Sequence, residues 1–322
     1  MLELVNLSNA SFDTENLLQG DGKKLQILLE QYRLDGIELM LCEPWDPVLH
    51  PAKDIQGVHL RFWPNWLDFW RGDQAALLQE FGSEAAWRQT YGNSREAWLE
   101  GYRENIRAAV RCGANYVVFH VAQARTSEIY TRQYDVTDEE VIEATLEMVN
   151  QVIDVLPESC RFLYENLWWP GLTFCQPELV QRLLDGTDHQ NTGFMLDTGH
   201  LMNTNLLLRN EAQAVDYVLK TIENLGEMKQ KVYGLHLHRS LSGEFVQKIM
   251  QAYRGKEKKS LDWQQTFSYI ARTDQHEPFQ TDAVRKLIEE IRPEYLVHEF
   301  IQDSYADWQR KLEIQYKALG KA

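Results

Sequence analysis

Side chains that can bind metal ions lie near the ends of short apolar runs in the second half of the chain. The segment GFMLDTGH, residues 193–200, places Asp197 and His200 directly after such a run. Glu165 occupies the same position in RFLYENL, and Glu299 does so in YLVHEFI. Carboxylates gathered in an apolar interior are costly unless they are neutralised. A divalent cation neutralises several of them at once.

Histidines accompany these carboxylates. His59 and His120 end two runs in the first half of the chain, and His236 and His238 alternate in VYGLHLH. Singly, each is typical of a hydrogen-bonded core histidine, and an aspartate before Thr-Gly is typical of a helix cap. Because they coincide with carboxylates on several runs, they instead predict a metal centre. Mixed oxygen and imidazole ligands suit Mn²⁺, Zn²⁺, Co²⁺ or Mg²⁺.

The elements that carry these residues alternate along the chain. Eight apolar runs read as strands, and amphipathic stretches of helical length separate most of them. The runs are ELVNLS from Glu3, GIELML from Gly36, GVHLRF from Gly57, YVVFHV from Tyr116, RFLYENL from Arg161, GFMLD from Gly193, VYGLHLH from Val232 and YLVHEFI from Tyr295. This alternation predicts an α/β fold, a closed (β/α)8 barrel, with an open doubly wound sheet as the alternative. No linker interrupts it, which predicts one domain over residues 1–322.

In such a barrel the carboxyl ends of all strands meet at one mouth, so the polar residues above are expected to converge there. Two segments interrupt the regular alternation. Residues 42–56, CEPWDPVLHPAKDIQ, hold three prolines and are not expected to form a full helix. Residues 63–93, after the third strand, form an aromatic insertion that is predicted to be a lid or pocket wall.

At these residues the chain resembles the xylose-isomerase-like (β/α)8 superfamily, which contains sugar isomerases and epimerases as well as apurinic endonucleases of the second family. MLDTGH is the most specific match, and YENLWW, GLHLH and VHEF support it in the expected order. The resemblance implies one divalent ion whose ligands are Glu165, Asp197, His236 and Glu299.

The resemblance favours the sugar-converting branch. There the ion holds a carbonyl and a neighbouring hydroxyl of the sugar and stabilises an enediolate. By resemblance Glu165 and Glu299 would be the acid/base pair, and His200 would hold a substrate oxygen or polarise the carbonyl. Tryptophans just past the strand ends are expected either to stack against the carbohydrate substrate or to cover the mouth as ordinary packing: Trp63, Trp66, Trp168 and Trp169.

The nuclease branch is the alternative, as a metal-dependent phosphodiesterase or apurinic endonuclease. It carries extra histidines for a second ion, so His59, His120 and His238 are candidates for a second ion or for substrate binding. Its third ion uses an Asp-x-His pair shortly after the seventh-strand histidine. The segment RSLSGEFVQKIMQAYRGKEKK, residues 239–259, contains no such pair, and this argues against DNA repair.

Charge and cysteine content set the expected partners and compartment. The chain has 48 acidic and 33 basic residues, a formal net charge of −15, which opposes binding to nucleic acid. The basic run RGKEKK, residues 254–259, is interpreted as a solvated loop. Four separated cysteines, no signal-peptide pattern and no long apolar run predict a cytoplasmic protein without a membrane span. The resemblance also implies a homo-oligomer.

Overall fold

Eight parallel strands form a closed barrel, in a computed structural model that describes residues 1–256 and 263–321. The strands are β1 (Leu2–Ser8), β2 (Gly36–Met40), β3 (Ile55–His59), β4 (Tyr116–His120), β5 (Arg161–Glu165), β6 (Thr192–Asp197), β7 (Val232–His236) and β8 (Tyr295–His298). They pair in chain order, and β8 closes the barrel on β1. This confirms the predicted (β/α)8 barrel and excludes the open sheet.

Helices surround the barrel in the described residues. They are α1 (Gly22–Tyr32), α2 (Leu67–Arg71), α3 (Gln74–Phe81), α4 (Glu84–Tyr91), α5 (Arg95–Cys112), α6 (Asp138–Val149), α7 (Pro177–Gly186), α8 (Thr198–Met202), α9 (Glu211–Glu223), α10 (Gly243–Tyr253), α11 (Trp263–Thr273), α12 (Arg285–Ile291) and α13 (Tyr305–Leu319). Thr137 and Glu140 form a capping box at the start of α6. Residues 42–54, the part of the proline-containing segment before β3, contain no helix longer than the 3-10 turn Ala52–Asp54, as their prolines predicted.

The barrel interior below the mouth is filled by side chains in layers. Tyr116, Leu163 and Met195 are fully buried there. Gly57 makes room for the largest of them, because a Cβ atom at this position would lie 2.1 Å from the Tyr116 ring. The interior of the barrel is therefore a packed core. Residues that act in binding or catalysis are confined to the strand ends at the mouth.

The aromatic insertion packs as a folded layer on α5. Trp98 of α5 lies 5.8 Å from Trp66 and 5.7 Å from Phe69 between ring centroids. Arg125, in the loop after β4, binds both carboxylate oxygens of Asp68 at 2.7 and 2.8 Å. The insertion thus forms a fixed wall beside the β4 end of the mouth.

Two other predictions concern the surface. Of the basic run at residues 254–259, positions 257–259 lie outside the described residues. None of the helices in the described part of the chain combines the length and the apolar character that crossing a membrane requires.

Candidate metal centre

The DTGH sequence has a local geometric explanation. Asp197 ends β6 and caps α8, since its Oδ1 atom accepts the backbone N–H of His200 at 2.6 Å. The other oxygen, Oδ2, faces the mouth, 2.8 Å from Nε2 of His238. Gly199 is required because a Cβ atom there would lie 2.1 Å from Cε1 of His238. Asp197 therefore serves both as the helix cap and as a metal-ligand candidate.

The first group of ligand candidates contains His59, His120 and Glu165. Oε2 of Glu165 lies 3.0 Å from Nε2 of His59 and 3.1 Å from Nε2 of His120. Nδ1 of His59 lies 2.8 Å from the Leu60 carbonyl oxygen and donates to it, which leaves the Nε2 lone pair free to face the group. Neither ring nitrogen of His120 has a well-aligned hydrogen bond, although both are buried. This arrangement fits a cation between the three side chains.

The second group is the set that the resemblance implied: Glu165, Asp197, His236 and Glu299. Nδ1 of His236 lies 3.2 Å from Oε1 of Glu165 and 3.4 Å from Oε2 of Glu299. That Glu299 oxygen is buried without a hydrogen-bond partner. Glu165 belongs to both groups, one oxygen facing each, so it can bridge two cations.

Glu38 was not predicted as part of the site. It is buried on β2, and its Oε1 atom accepts Nε2–H of His236 at 2.9 Å. Its Oε2 atom accepts the hydroxyl of Tyr116 at 2.9 Å. A carboxylate behind a metal-binding histidine fixes the tautomer and the ring orientation, so Glu38 keeps the Nδ1 lone pair of His236 toward the second group. The only signal in the sequence was a charged residue inside the apolar run GIELML.

A third group contains His200, His238, Asp274 and His276. Oδ2 of Asp274 lies 3.0 Å from Nε2 of His200 and 2.6 Å from Nε2 of His276. The rings of His238 and His276 stack with centroids 3.9 Å apart. Residues 239–259 contain no Asp-x-His pair, as the sequence analysis stated, but a pair lies further along the chain and reaches the mouth. The pair is Asp274-Gln275-His276, and it was missed because α10 and α11 separate it from β7.

Burial and charge oppose each other throughout these groups. Burial, with the neighbouring charges of Glu165 and Asp274, raises the pKa of Asp197 against the effect of His200. Burial would also raise the pKa of Glu165, but its interactions with His120 and His236 outweigh burial and hold that pKa well below its usual value. Burial lowers the pKa of His120 to about 4, which favours the neutral, ligating imidazole.

The donor set as a whole fits divalent ions. Four carboxylates and six imidazoles converge in three adjacent groups, each with three or four ligand atoms within 4.8 Å of one another. Mixed N and O donors of this kind suit Zn²⁺ or Mn²⁺. His59, His120, His200 and His238, predicted for a second ion or for substrate, all lie in these groups.

The tryptophans fall into two classes. The Trp168 ring is buried with its centroid 5.2 Å from that of His200, so it borders the centre. Trp169 packs on Trp168 at 5.0 Å. Trp63 packs against Trp98 and Tyr102, and Trp66 is buried in the insertion. Contact of Trp63, Trp168 and Trp169 with a substrate remains a prediction, which Trp168 fits best.

Comparison with known proteins agrees with the fold. A family model described as a xylose isomerase-like TIM barrel matches residues 29–316. No curated protein sequence matches the chain. Among solved structures, endonuclease IV from Thermus thermophilus is 14% identical with a TM-score of 0.55, over 100% of both chains. A D-tagatose 3-epimerase-like protein is 15% identical with a TM-score of 0.52, over 99% of this chain and 97% of that one.

The IOLI protein with a binding zinc atom is 14% identical, with a TM-score of 0.51, over 100% of this chain and 96% of that one. At such identities these structures are evidence for the fold alone, and they include epimerases as well as endonuclease IV. The family model, by contrast, spans most of the chain. The chain therefore belongs to the xylose isomerase-like TIM barrel family.

Proposed function

We propose that this chain is a divalent-metal-dependent phosphoesterase, which was the alternative in the sequence analysis. The main observation in support is that three ligand groups adjoin one another and that two of them share Glu165. Centres of two or more metal ions are typical of phosphatases and nucleases. An isomerase that holds two neighbouring oxygens of a sugar needs the second group alone, and would leave the other two without a role.

The chain's own residues hold and shape this centre. Divalent ions bound there would supply Lewis-acid stabilisation of the negative charge that develops on phosphoryl oxygens, and would lower the pKa of water. Glu38 orients His236 from behind. Trp168 covers the side of His200 and excludes water from it. Such a dry site strengthens every electrostatic interaction inside it.

The substrate we propose is a small phosphoester. The formal net charge of −15 opposes binding to a long polyanion. The centre itself is almost closed, since the side chains of Glu299, His120 and His276 are only 13%, 13% and 12% exposed and the other ligand candidates less. A single phosphoryl group fits such a narrow opening better than a duplex does.

The second candidate function is a sugar isomerase or epimerase. One observation favours it: Glu165 and Glu299 both face Nδ1 of His236, at 3.2 and 3.4 Å, so two carboxylates flank the same ligand group. In this interpretation they would exchange protons with a carbon next to a carbonyl.

One set of assays separates the two functions. The purified protein is loaded with Zn²⁺ or Mn²⁺ and tested on bis-p-nitrophenyl phosphate, on p-nitrophenyl phosphate, on a duplex with an abasic site and on ketoses in D₂O. We expect phosphoester cleavage that Asp274→Asn lowers about 100-fold or more. Asp13→Asn is the matched control, because this half-buried aspartate binds Ser8 and belongs to none of the three ligand groups.

The isomerase function predicts a different pattern. Deuterium would enter the ketose, the exchange would survive Asp274→Asn, and Glu299→Gln would abolish it. Cleavage of the abasic duplex in preference to the small esters would show that the substrate is nucleic acid and not a small phosphoester. A protein that retains its ions but cleaves none of the phosphoesters would refute the proposed function.

A further inference from the structure

Arg132, in the loop between β4 and α6, has a guanidinium group that is only partly satisfied. One nitrogen, Nη1, donates to the backbone oxygen of Asn203 at 2.7 Å. The other two, Nε and Nη2, are buried and have no hydrogen-bond partner. Burying a cation in this state is costly unless an anion or several acceptors compensate it.

Three buried hydroxyl groups near Arg132 also lack hydrogen-bond partners. The side-chain oxygens of Tyr134, Tyr269 and Thr273 have no hydrogen-bond partner. Tyr269 interacts electrostatically with Arg132 and approaches Thr273, but neither approach has the alignment of a hydrogen bond. Tyr134 interacts electrostatically with both Arg132 and Tyr269. All four side chains can donate, and Arg132 can only donate, so an anion with several acceptor oxygens would satisfy the whole group.

This group of donors adjoins the metal centre. Asn203, which accepts from Arg132, has its side-chain nitrogen 3.5 Å from Oδ1 of Asp274. Ser242 donates to the side-chain oxygen of Asn203 at 3.0 Å and holds it in place. One residue therefore separates the guanidinium of Arg132 from a ligand candidate of the third group.

We propose that Arg132, Tyr134, Tyr269 and Thr273, here called the Arg132 pocket, bind a phosphate group of the substrate next to the one that is cleaved. The claim that this phosphate belongs to the substrate rests on the proposed phosphoesterase function. The claim that the Arg132 pocket binds phosphate does not. A guanidinium presents its N–H groups as a planar fork that matches phosphate oxygens. Phosphate also offers enough acceptors for the three hydroxyls, and its charge balances Arg132, which water cannot do.

Binding is tested first on the metal-free protein, after treatment with a chelator, with inorganic phosphate as the probe. We expect phosphate to raise the Tm saturably, by about 5 °C at a hundredfold excess over Kd. Arg132→Met should abolish this rise. Its own Tm without phosphate should equal or exceed that of the wild type, because the substitution removes an uncompensated buried charge. Arg209→Met, at a surface arginine, is the control and should keep the rise.

Two results would overturn the pocket. One is a wild-type Tm that phosphate raises no more than sodium chloride at equal ionic strength, and the other is an equal rise in Arg132→Met. A destabilised Arg132→Met would also count against it, since that is the result of a purely structural arginine. Tyr134→Phe gives an independent test, because loss of one donor should weaken phosphate binding several-fold while the fold is kept.

Turnover by the metal-loaded enzyme then tests the link to the substrate and its source. Arg132→Met should raise KM about tenfold for substrates that carry a second phosphate and leave their kcat unchanged. For matched substrates with a single phosphate, KM should also stay unchanged. The pairs are pTpT against TpT for a nucleotide, and fructose 1,6-bisphosphate against fructose 6-phosphate for a sugar phosphate; the pair that responds identifies the source. Equal KM changes within both pairs would refute the link. Phosphate binding without any turnover would refute the phosphoesterase function and leave the pocket intact.

Discussion

Oδ2 of Asp274 lies 3.0 Å from Nε2 of His200, although 74 residues separate the two in the chain. The same oxygen lies 2.6 Å from Nε2 of His276. It thereby connects the turn after β6 with the chain that returns from α11. This contact completes a third ligand group beside the two groups that share Glu165. Asp274 thus connects histidines of the third group, as Glu165 connects His59 and His120 of the first.

Ion content should depend on which group a ligand candidate belongs to. We expect the wild-type protein, loaded with Zn²⁺ and desalted, to retain three ions, since three groups are present. His276→Gln should retain two, because only the third group loses a ligand. Glu165→Gln should retain one, because two groups lose their shared carboxylate. Metal analysis by plasma mass spectrometry gives the counts.

The control for Glu165→Gln is Glu211→Gln. Glu211 is also a buried glutamate, and it accepts the backbone N–H groups of Gln280 and Thr281 at 2.8 Å but belongs to none of the three ligand groups. It should leave the ion count unchanged. A Glu165→Gln protein that kept every ion would show that the shared carboxylate is not a ligand.

The parts of this centre that sequence reasoning reached are those fixed by the barrel geometry. Asp197, His236 and Glu299 follow regular strands, and parallel strands bring such ends together. Asp274 has no such marker, since two helices separate it from its strand. Glu38 was missed because one charged residue in a strand does not reveal its partner across the barrel. Trp63 lies past a strand end as expected. Its contact with Trp98 could not be predicted, because it depends on how the insertion folds.

Glu38→Gln should weaken metal binding without removing a ligand. The amide oxygen of glutamine can accept from His236 in place of Oε1, which does so at 2.9 Å, but it lacks the negative charge that makes the imidazole a stronger ligand. We expect the affinity for Zn²⁺ to fall 10- to 100-fold, by titration against a competing chelator. Tyr116→Phe removes only the donor to the other oxygen of Glu38, and should have a smaller effect. An unchanged affinity in Glu38→Gln would eliminate this positioning role.

Two glycine substitutions should have opposite effects. Gly199→Ala places a Cβ atom 2.1 Å from Cε1 of His238, and that ring is fully buried and stacked on His276. We expect it to destabilise the protein by about 1–3 kcal/mol, as overpacking does, and to weaken ion binding at the third group. The measurements are urea unfolding of the metal-free protein and zinc titration.

Gly101→Ala is the matched control. Gly101 is an exposed position inside α5, and a Cβ atom there meets nothing within 4 Å. Alanine should stabilise the helix by about 0.5–1 kcal/mol and leave zinc binding unchanged. If Gly199→Ala behaved like Gly101→Ala, the close approach of His238 to the DTGH turn would be wrong.

Stability should depend on pH through Glu3, which lies on β1 outside the metal centre. Its Oε1 atom is 2.8 Å from Nε2 of His298, and Lys321 contacts the other oxygen. Burial alone would raise the pKa of Glu3, but the hydrogen bonds and charges of His298 and Lys321 outweigh it and lower the pKa from 4.5 to about 2. The folded state therefore favours the ionised carboxylate.

The sign of the effect follows from this depressed pKa. The stabilisation is complete above pH 4.5, the value of the unfolded chain, and is lost as the pH falls toward 2. Glu3→Gln should therefore lower the free energy of unfolding at neutral pH by about 1–3 kcal/mol, a range that allows for partial exposure of the side chain. The difference from the wild type should stay constant down to about pH 5 and shrink below it. Urea unfolding between pH 7 and 3.5 measures it, with exposed Glu15→Gln as the control. A wild-type advantage over Glu3→Gln that did not change with pH would mean that the contacts of the Glu3 carboxylate with His298 and Lys321 do not form.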